Sequence, residues 1–177
     1  ALAVQNFTTT TDAYNVAVGY DAGGDITTGV QNTIVGGEAG DSITTGNNNI
    51  AIGYLALQAE TTGDRNVAIG TAALDAQNNT TGANIYNVGI GYAAGSAITT
   101  GVQNTIVGGL AGDSLTDADQ NTALGYGSLS GDTLGTNSVA VGYLALQDQN
   151  FTTATATYNV AIGAQAGKDI AVGTNNV

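Results

Sequence analysis

Nine times along the chain a β-prone triplet closes on glycine. The triplets are Val16-Ala17-Val18, Thr33-Ile34-Val35, Ile50-Ala51-Ile52, Val67-Ala68-Ile69, Val88-Gly89-Ile90, Thr105-Ile106-Val107, Thr122-Ala123-Leu124, Val139-Ala140-Val141 and Val160-Ala161-Ile162. The closing glycines stand 17, 17, 17 and 21 residues apart, and then 17, 17, 17 and 21 again, so a block of three short units and one long unit recurs every 72 residues. The peptide Gly29–Gly37 returns unchanged as Gly101–Gly109 for that reason. Within a triplet the first and third residues share one face of an extended chain, and both are mostly β-branched. The middle residue takes the other face and is mostly small. This alternation predicts a short strand in every unit, and glycine interrupts the chain too often for helix.

Other columns carry as much information. Four residues after the closing glycine the chain reads Gly23, Gly40, Leu57, Leu74, Gly95, Gly112, Leu129, Leu146 and Gly167. Seven residues after it come Ile26, Ile43, Glu60, Gln77, Ile98, Leu115, Asp132, Gln149 and Ile170. Glycine in the first column always accompanies an aliphatic in the second, and leucine always accompanies a polar residue; Leu2 and Gln5 obey the same rule. One core slot filled from either of two chain positions explains the compensation, since a packed interior holds its volume nearly constant. Asparagine opens eight units (Asn15, Asn32, Asn49, Asn66, Asn87, Asn104, Asn121 and Asn159), with Ser138 standing in once. Stacked in register, these amides are expected to hydrogen-bond along a column.

The fold expected is therefore all-β: a repetitive β-solenoid, or β-roll, of 17-residue coils with a 21-residue coil every fourth. It forms one domain over residues 1–177, about two and a half blocks. Coils stacked at the inter-strand spacing would make a rod roughly 45 Å long. The Thr-Thr-Gly triplets, such as Thr27-Thr28-Gly29, mark turns. Small columns (Ala17 and its equivalents, and Ala22, Ala39, Ala56, Ala73, Ala94, Ala111, Ser128, Ala145 and Ala166) suggest close approach of a second surface, hence a homotrimer. With no atypical capping coil at either end, a piece of a longer, end-to-end filament is expected.

Composition narrows the function classes. The chain has no Cys, His, Met, Pro or Trp, which removes thiol and imidazole chemistry and the usual zinc ligands. Arg65 and Lys168 are the only cations against 14 acidic residues, a formal charge of −12. That disfavours nucleic acid, whose phosphates need basic partners. No apolar run of membrane-spanning length and no signal-peptide pattern is visible.

The motifs at Asn137–Gly142 (NSVAVG), Asn121–Leu129 (NTALGYGSL) and Val141–Gln147 (VGYLALQ) resemble the head repeats of YadA-like trimeric autotransporter adhesins and the repeats of phage tail fibres. The likeness runs over almost the whole chain, although the adhesin heads use 14-residue units. It implies a trimeric left-handed β-roll with the Val and Ile of the motif packed inside. It also implies an extracellular place, on a cell surface or virion, and a role in fibre extension or adhesion. It carries no catalytic residue.

The sequence offers few candidates for a site. The long units hold Gln5–Tyr14, Gln77–Tyr86 and Gln149–Tyr158, and insertions in a solenoid bulge from one face. Phe7, Tyr14, Asn79, Tyr86, Phe151 and Tyr158 are the binding candidates there, with a cell-surface glycan as the ligand class. A tyrosine column follows the closing glycine at Tyr20, Tyr54, Tyr92, Tyr126 and Tyr143. Acidic residues at turns (Asp21, Asp25, Glu38, Asp41, Asp113, Asp117 and Asp119) are the candidates for Ca²⁺ oxygens, but they lack a calcium-repeat pattern. No metal, cofactor or enzymatic activity is expected. The leading expectation is a structural or adhesive fibre segment; the alternative is an ice- or surface-binding solenoid using its Thr columns.

Overall fold

The structure, a computed structural model, describes residues 12–177. Each triplet forms a strand: β1 Val16–Val18, β2 Thr33–Val35, β3 Ile50–Ile52, β4 Val67–Ile69, β5 Val88–Ile90, β6 Thr105–Val107, β7 Thr122–Leu124, β9 Val139–Val141 and β11 Val160–Ile162. These nine pair in parallel in chain order, each in the register set by the repeat, so Val16 lies beside Thr33, Ile50 and Val67 in turn. Two further strands, β8 (Gly135–Thr136) and β10 (Thr155–Ala156), pair beside the second described long loop. The protein is a parallel β-solenoid with one coil per unit. Eight steps at the inter-strand spacing make the sheet roughly 38 Å long.

The closing glycine is required twice over. Its φ lies near +130 to +140° in every coil. A Cβ on Gly36 or Gly70 would also stand 2.4 Å from the carbonyl oxygen of the next closing glycine. After it the chain makes two tight turns through left-handed residues, among them Leu55 (φ 59°), Leu57 (φ 54°) and Leu74 (φ 50°). A leucine in that region costs about 1–2 kcal/mol. Burying its side chain returns about 1.5–3 kcal/mol, which offsets that cost at Leu57 and Leu74, both in the core, but not at the half-buried Leu55.

The shared core slot is visible atom by atom. A Cβ added at Gly40 would meet Ile43 Cδ1 at 2.9 Å and Ile34 Cδ1 at 3.2 Å; one at Gly112 would meet Leu115 Cδ1 at 2.9 Å. Where leucine takes the slot instead, Leu57, Leu74, Leu129 and Leu146 are fully buried. Their polar companions do not turn outward: Glu60, Gln77, Asp132 and Gln149 are fully buried too.

The direction of the faces departs from expectation. Ala51, Ala68, Ala123 and Ala140 of the middle column, with Ile34 and Ile106, line the interior of the single coil, as do Ala22, Ala39 and their equivalents. The small columns are core rather than contact surface, because the two layers of a flattened coil leave room for only one large side chain between them. The Val and Ile of the motif, expected inside, point outward.

Candidate functional site: an apolar sheet face and its long loops

An antiparallel or solvated sheet ordinarily alternates apolar inside with polar outside. Here the outward positions of the strands are Val, Ile, Leu and Thr. Ile50 is 36% and Leu124 47% exposed in mid-sheet, and Val16 and Val18 exceed half. Tyrosines frame this strip on both edges. On one side stand Tyr20, Tyr54, Tyr92, Tyr126 and Tyr143, all exposed, with the rings of Tyr126 and Tyr143 stacked at 5.9 Å. Tyr54 and Tyr126 also lie over the glycines of the preceding coils, within 3.5 Å of where a Cβ on Gly37 or Gly109 would be. On the other side stand Tyr14, Tyr86 and Tyr158, one per block. A largely apolar strip of this length, broken in one column by Thr33, Thr105 and Thr122, is beyond what scattered surface aliphatics produce.

The asparagine column ties the strand edge to the turn. Each Oδ1 accepts the backbone N–H of the next column member, at 2.8 Å from Asn32 to Asn15 and 2.9 Å from Asn49 to Asn32. Every Nδ2 except that of Asn66 donates across the coil to the turn carbonyl fourteen residues on, as Asn49 does to Gly63 and Asn121 to Gly135. Direct amide-to-amide bonds are fewer, for example Asn32 Nδ2 to Asn15 Oδ1 at 3.2 Å. The threonines of the turn are similarly engaged. The hydroxyls of Thr27, Thr44 and Thr116 donate to the carbonyls of Thr44, Thr61 and Thr133 in the following coil.

The long loops rest on buried carboxylates, which a reading of charge alone overlooks. Glu60 Oε1 accepts the backbone N–H groups of Thr61, Thr62, Gly63 and Asn79, and Oε2 accepts Gln77 Nε2 at 2.9 Å. Gln77 in turn accepts from Asn87. Seventy-two residues on, Asp132 accepts from Gly135, Phe151 and Gln149, and Gln149 from Asn159. The signal was the polar residue paired with leucine in the core slot; its inward direction was not legible.

The loop candidates do not converge. Asn79 and Phe151 are each only 7% exposed, so Phe151 packs under its loop and is not free to stack on a sugar. Asn79 Nδ2 has no hydrogen-bond partner among the described residues. Tyr14 donates to Asp12 Oδ2 at 2.8 Å, and the Arg65 guanidinium lies 5.8 Å from the Tyr86 ring centre. Tyr14, Tyr86 and Tyr158 are four coils apart, roughly 19 Å on the inter-strand spacing. Phe7 lies outside the described residues. A hollow lined by Val160, Ile162, Ile170 and Val177 is the open face of the last coil.

Among the described residues no group of three or more acidic side chains is gathered closely enough to hold a metal ion. The acidic patch of the first coils acts on itself instead: burial, then Asp25, Asp21 and Glu38, raise the Asp41 carboxyl above its ordinary range. No described helix is long and apolar enough to cross a membrane. No protein-family model, curated protein or solved structure matches the chain.

Proposed function

We propose that this chain is a segment of an extracellular fibre: a rod scaffold that associates with copies of itself and presents its long loops at regular intervals for attachment, a cell-surface glycan being the ligand class. The observation that carries this reading is the apolar sheet face. A soluble rod acting alone gains nothing from two outward columns of half-buried to exposed Val, Ile and Leu, interrupted by Thr33, Thr105 and Thr122, whereas copies packed face to face bury their remaining apolar surface at about 25 cal/mol per Å². The motif likeness to trimeric fibre repeats favours three copies. Tyrosines along both edges suit the rim of such an interface, with ring inside and hydroxyl in water.

Sedimentation of the purified chain tests the proposal. A trimer is expected, and the double substitution Ile50→Lys with Leu124→Lys, on the outward face and away from the core, should shift it to monomer with the far-UV spectrum retained. A wild-type chain that sediments as a folded monomer over the micromolar range would overturn the proposal.

A further inference from the structure

We infer that Asn78 and Asn150 are acceptors for N-linked oligosaccharide, one in each described long loop. The inference uses only the extracellular part of the fibre proposal. In the turn column eight residues after the closing glycine, the chain reads Thr27, Thr44, Thr61, Asn78, Thr99, Thr116, Thr133, Asn150 and, in the ninth unit, Ala171. Asparagine replaces threonine only in the long coils. In both cases a threonine follows two residues later, giving Asn78-Asn79-Thr80 and Asn150-Phe151-Thr152, with no proline between. That tripeptide is the acceptor pattern for N-linked transfer. Asn6-Phe7-Thr8 has the same phase but lies outside the described residues.

The pattern alone is weak in a chain rich in Asn and Thr; the geometry adds to it. Asn78 and Asn150 are exposed, as are Thr80 and Thr152. The Oδ1 of Asn78 accepts the Thr61 hydroxyl at 3.0 Å, and that of Asn150 accepts the Thr133 hydroxyl at 3.3 Å. Each side-chain amide is thus held by its oxygen, and its nitrogen has no partner among the described residues. Asn79 also fits the pattern through Thr81, but it is buried and its backbone N–H is bound to Glu60, so it is not the acceptor. The return segment bearing these residues lies across the core from the strands, since Ile43 and Gly40 pack against the inward-facing Ile34. An oligosaccharide there leaves the apolar strip clear. The reaction forms a bond from Asn Nδ2 to the anomeric carbon of a lipid-pyrophosphate-linked oligosaccharide. The bond from that carbon to the pyrophosphate oxygen breaks, the lipid pyrophosphate leaves with the electron pair, and one amide proton passes to base.

Translation of the full chain behind a secretory leader into transferase-competent microsomes, followed by glycopeptide mass spectrometry, tests the inference. Oligosaccharide is expected at Asn78 and Asn150 and should be removable by peptide N-glycosidase. Thr80→Ala should empty Asn78 and Thr152→Ala should empty Asn150, whereas Thr81→Ala should leave Asn78 occupied. Neither Thr80 nor Thr152 is buried, so matched thermal unfolding of these variants separates loss of the acceptor from loss of the fold. Unmodified Asn78 and Asn150 beside a modified control glycoprotein would overturn the inference, as would occupancy confined to Asn79. Neither result bears on sedimentation, so this inference and the fibre proposal fail separately.

Discussion

The two described long coils have the same backbone plan and solve it with different chemistry. In the first, Glu60 reaches under the loop and accepts five hydrogen bonds; in the second, the shorter Asp132 accepts three. Beneath the first loop Asn79 fills the place that Phe151 takes beneath the second, and leaves an amide nitrogen without a partner there. The asparagine column differs in step. Asn66 has lost the turn carbonyl its neighbours use, because the inserted residues displace that turn, and its Nδ2 is unpaired. At the equivalent place Ser138 carries no amide to satisfy. Its hydroxyl pairs instead with those of Thr157 and the amide of Gln149, whereas Ile85 stands where Thr157 does. The apparent lapse in the column is therefore an adjustment to the insertion, completed in the second block and not in the first. The core slot is filled by leucine in both coils, Leu74 and Leu146; full polar satisfaction is reached only in one.

The sharpest way to break the comparison is to remove the carboxylates. Glu60→Ala strands four backbone N–H groups and the Gln77 amide in the core, so a loss of about 3–5 kcal/mol is expected in chemical unfolding. Asp132→Ala strands fewer donors and should cost less. Equal losses, or a Glu60→Ala loss below about 1 kcal/mol, would mean that the bonds to the carboxylates do not hold the loops.

Exchange of the residues beneath the loops comes next. Phe151→Asn removes a large buried ring and leaves a second unpaired amide, for an expected cost of about 3 kcal/mol. Asn79→Phe does the reverse and should stabilise by about 1 kcal/mol if the first loop accommodates the ring. Destabilisation by both substitutions would show that the two loops differ in shape as well as in chemistry.

How much of this was legible in the sequence follows from what periodicity records. Register, coil length and the exchange between Gly40 with Ile43 and Leu57 with Glu60 are properties of columns, and columns survive in a one-dimensional reading. Direction is not a column property. Ala17 and Val18 alternate equally well whichever of them faces inward, and both faces of this strand are apolar, so the usual polar marker for the outside is missing. The same ambiguity hid Glu60 and Asp132: a polar residue beside a core leucine reads as surface unless the donors that surround it are known. Phe151 was readable as exposed or buried for the same reason.

The smallest expected effect concerns a charge that one loop coil has and the other lacks. Asp75 and Gln147 occupy equivalent positions, and Asp75 Oδ1 is buried without a hydrogen-bond partner. Burial raises the Asp75 carboxyl above its ordinary value of 3.8. A raised carboxyl favours the fold when protonated, so its contribution is complete below the unfolded-state value and is lost as pH rises through the folded-state value. At neutral pH the ionised form is a burden, which partial exposure to solvent keeps under about 1 kcal/mol. Asp75→Gln, which copies the second coil, should therefore raise Tm by roughly 1–3 °C at pH 7. The advantage over wild type should shrink on acidification and vanish below the unfolded-state value. Only the difference between the two proteins at each pH is informative. A gain that persists unchanged into acid would assign the effect to packing or to general charge reduction instead of to the buried carboxyl.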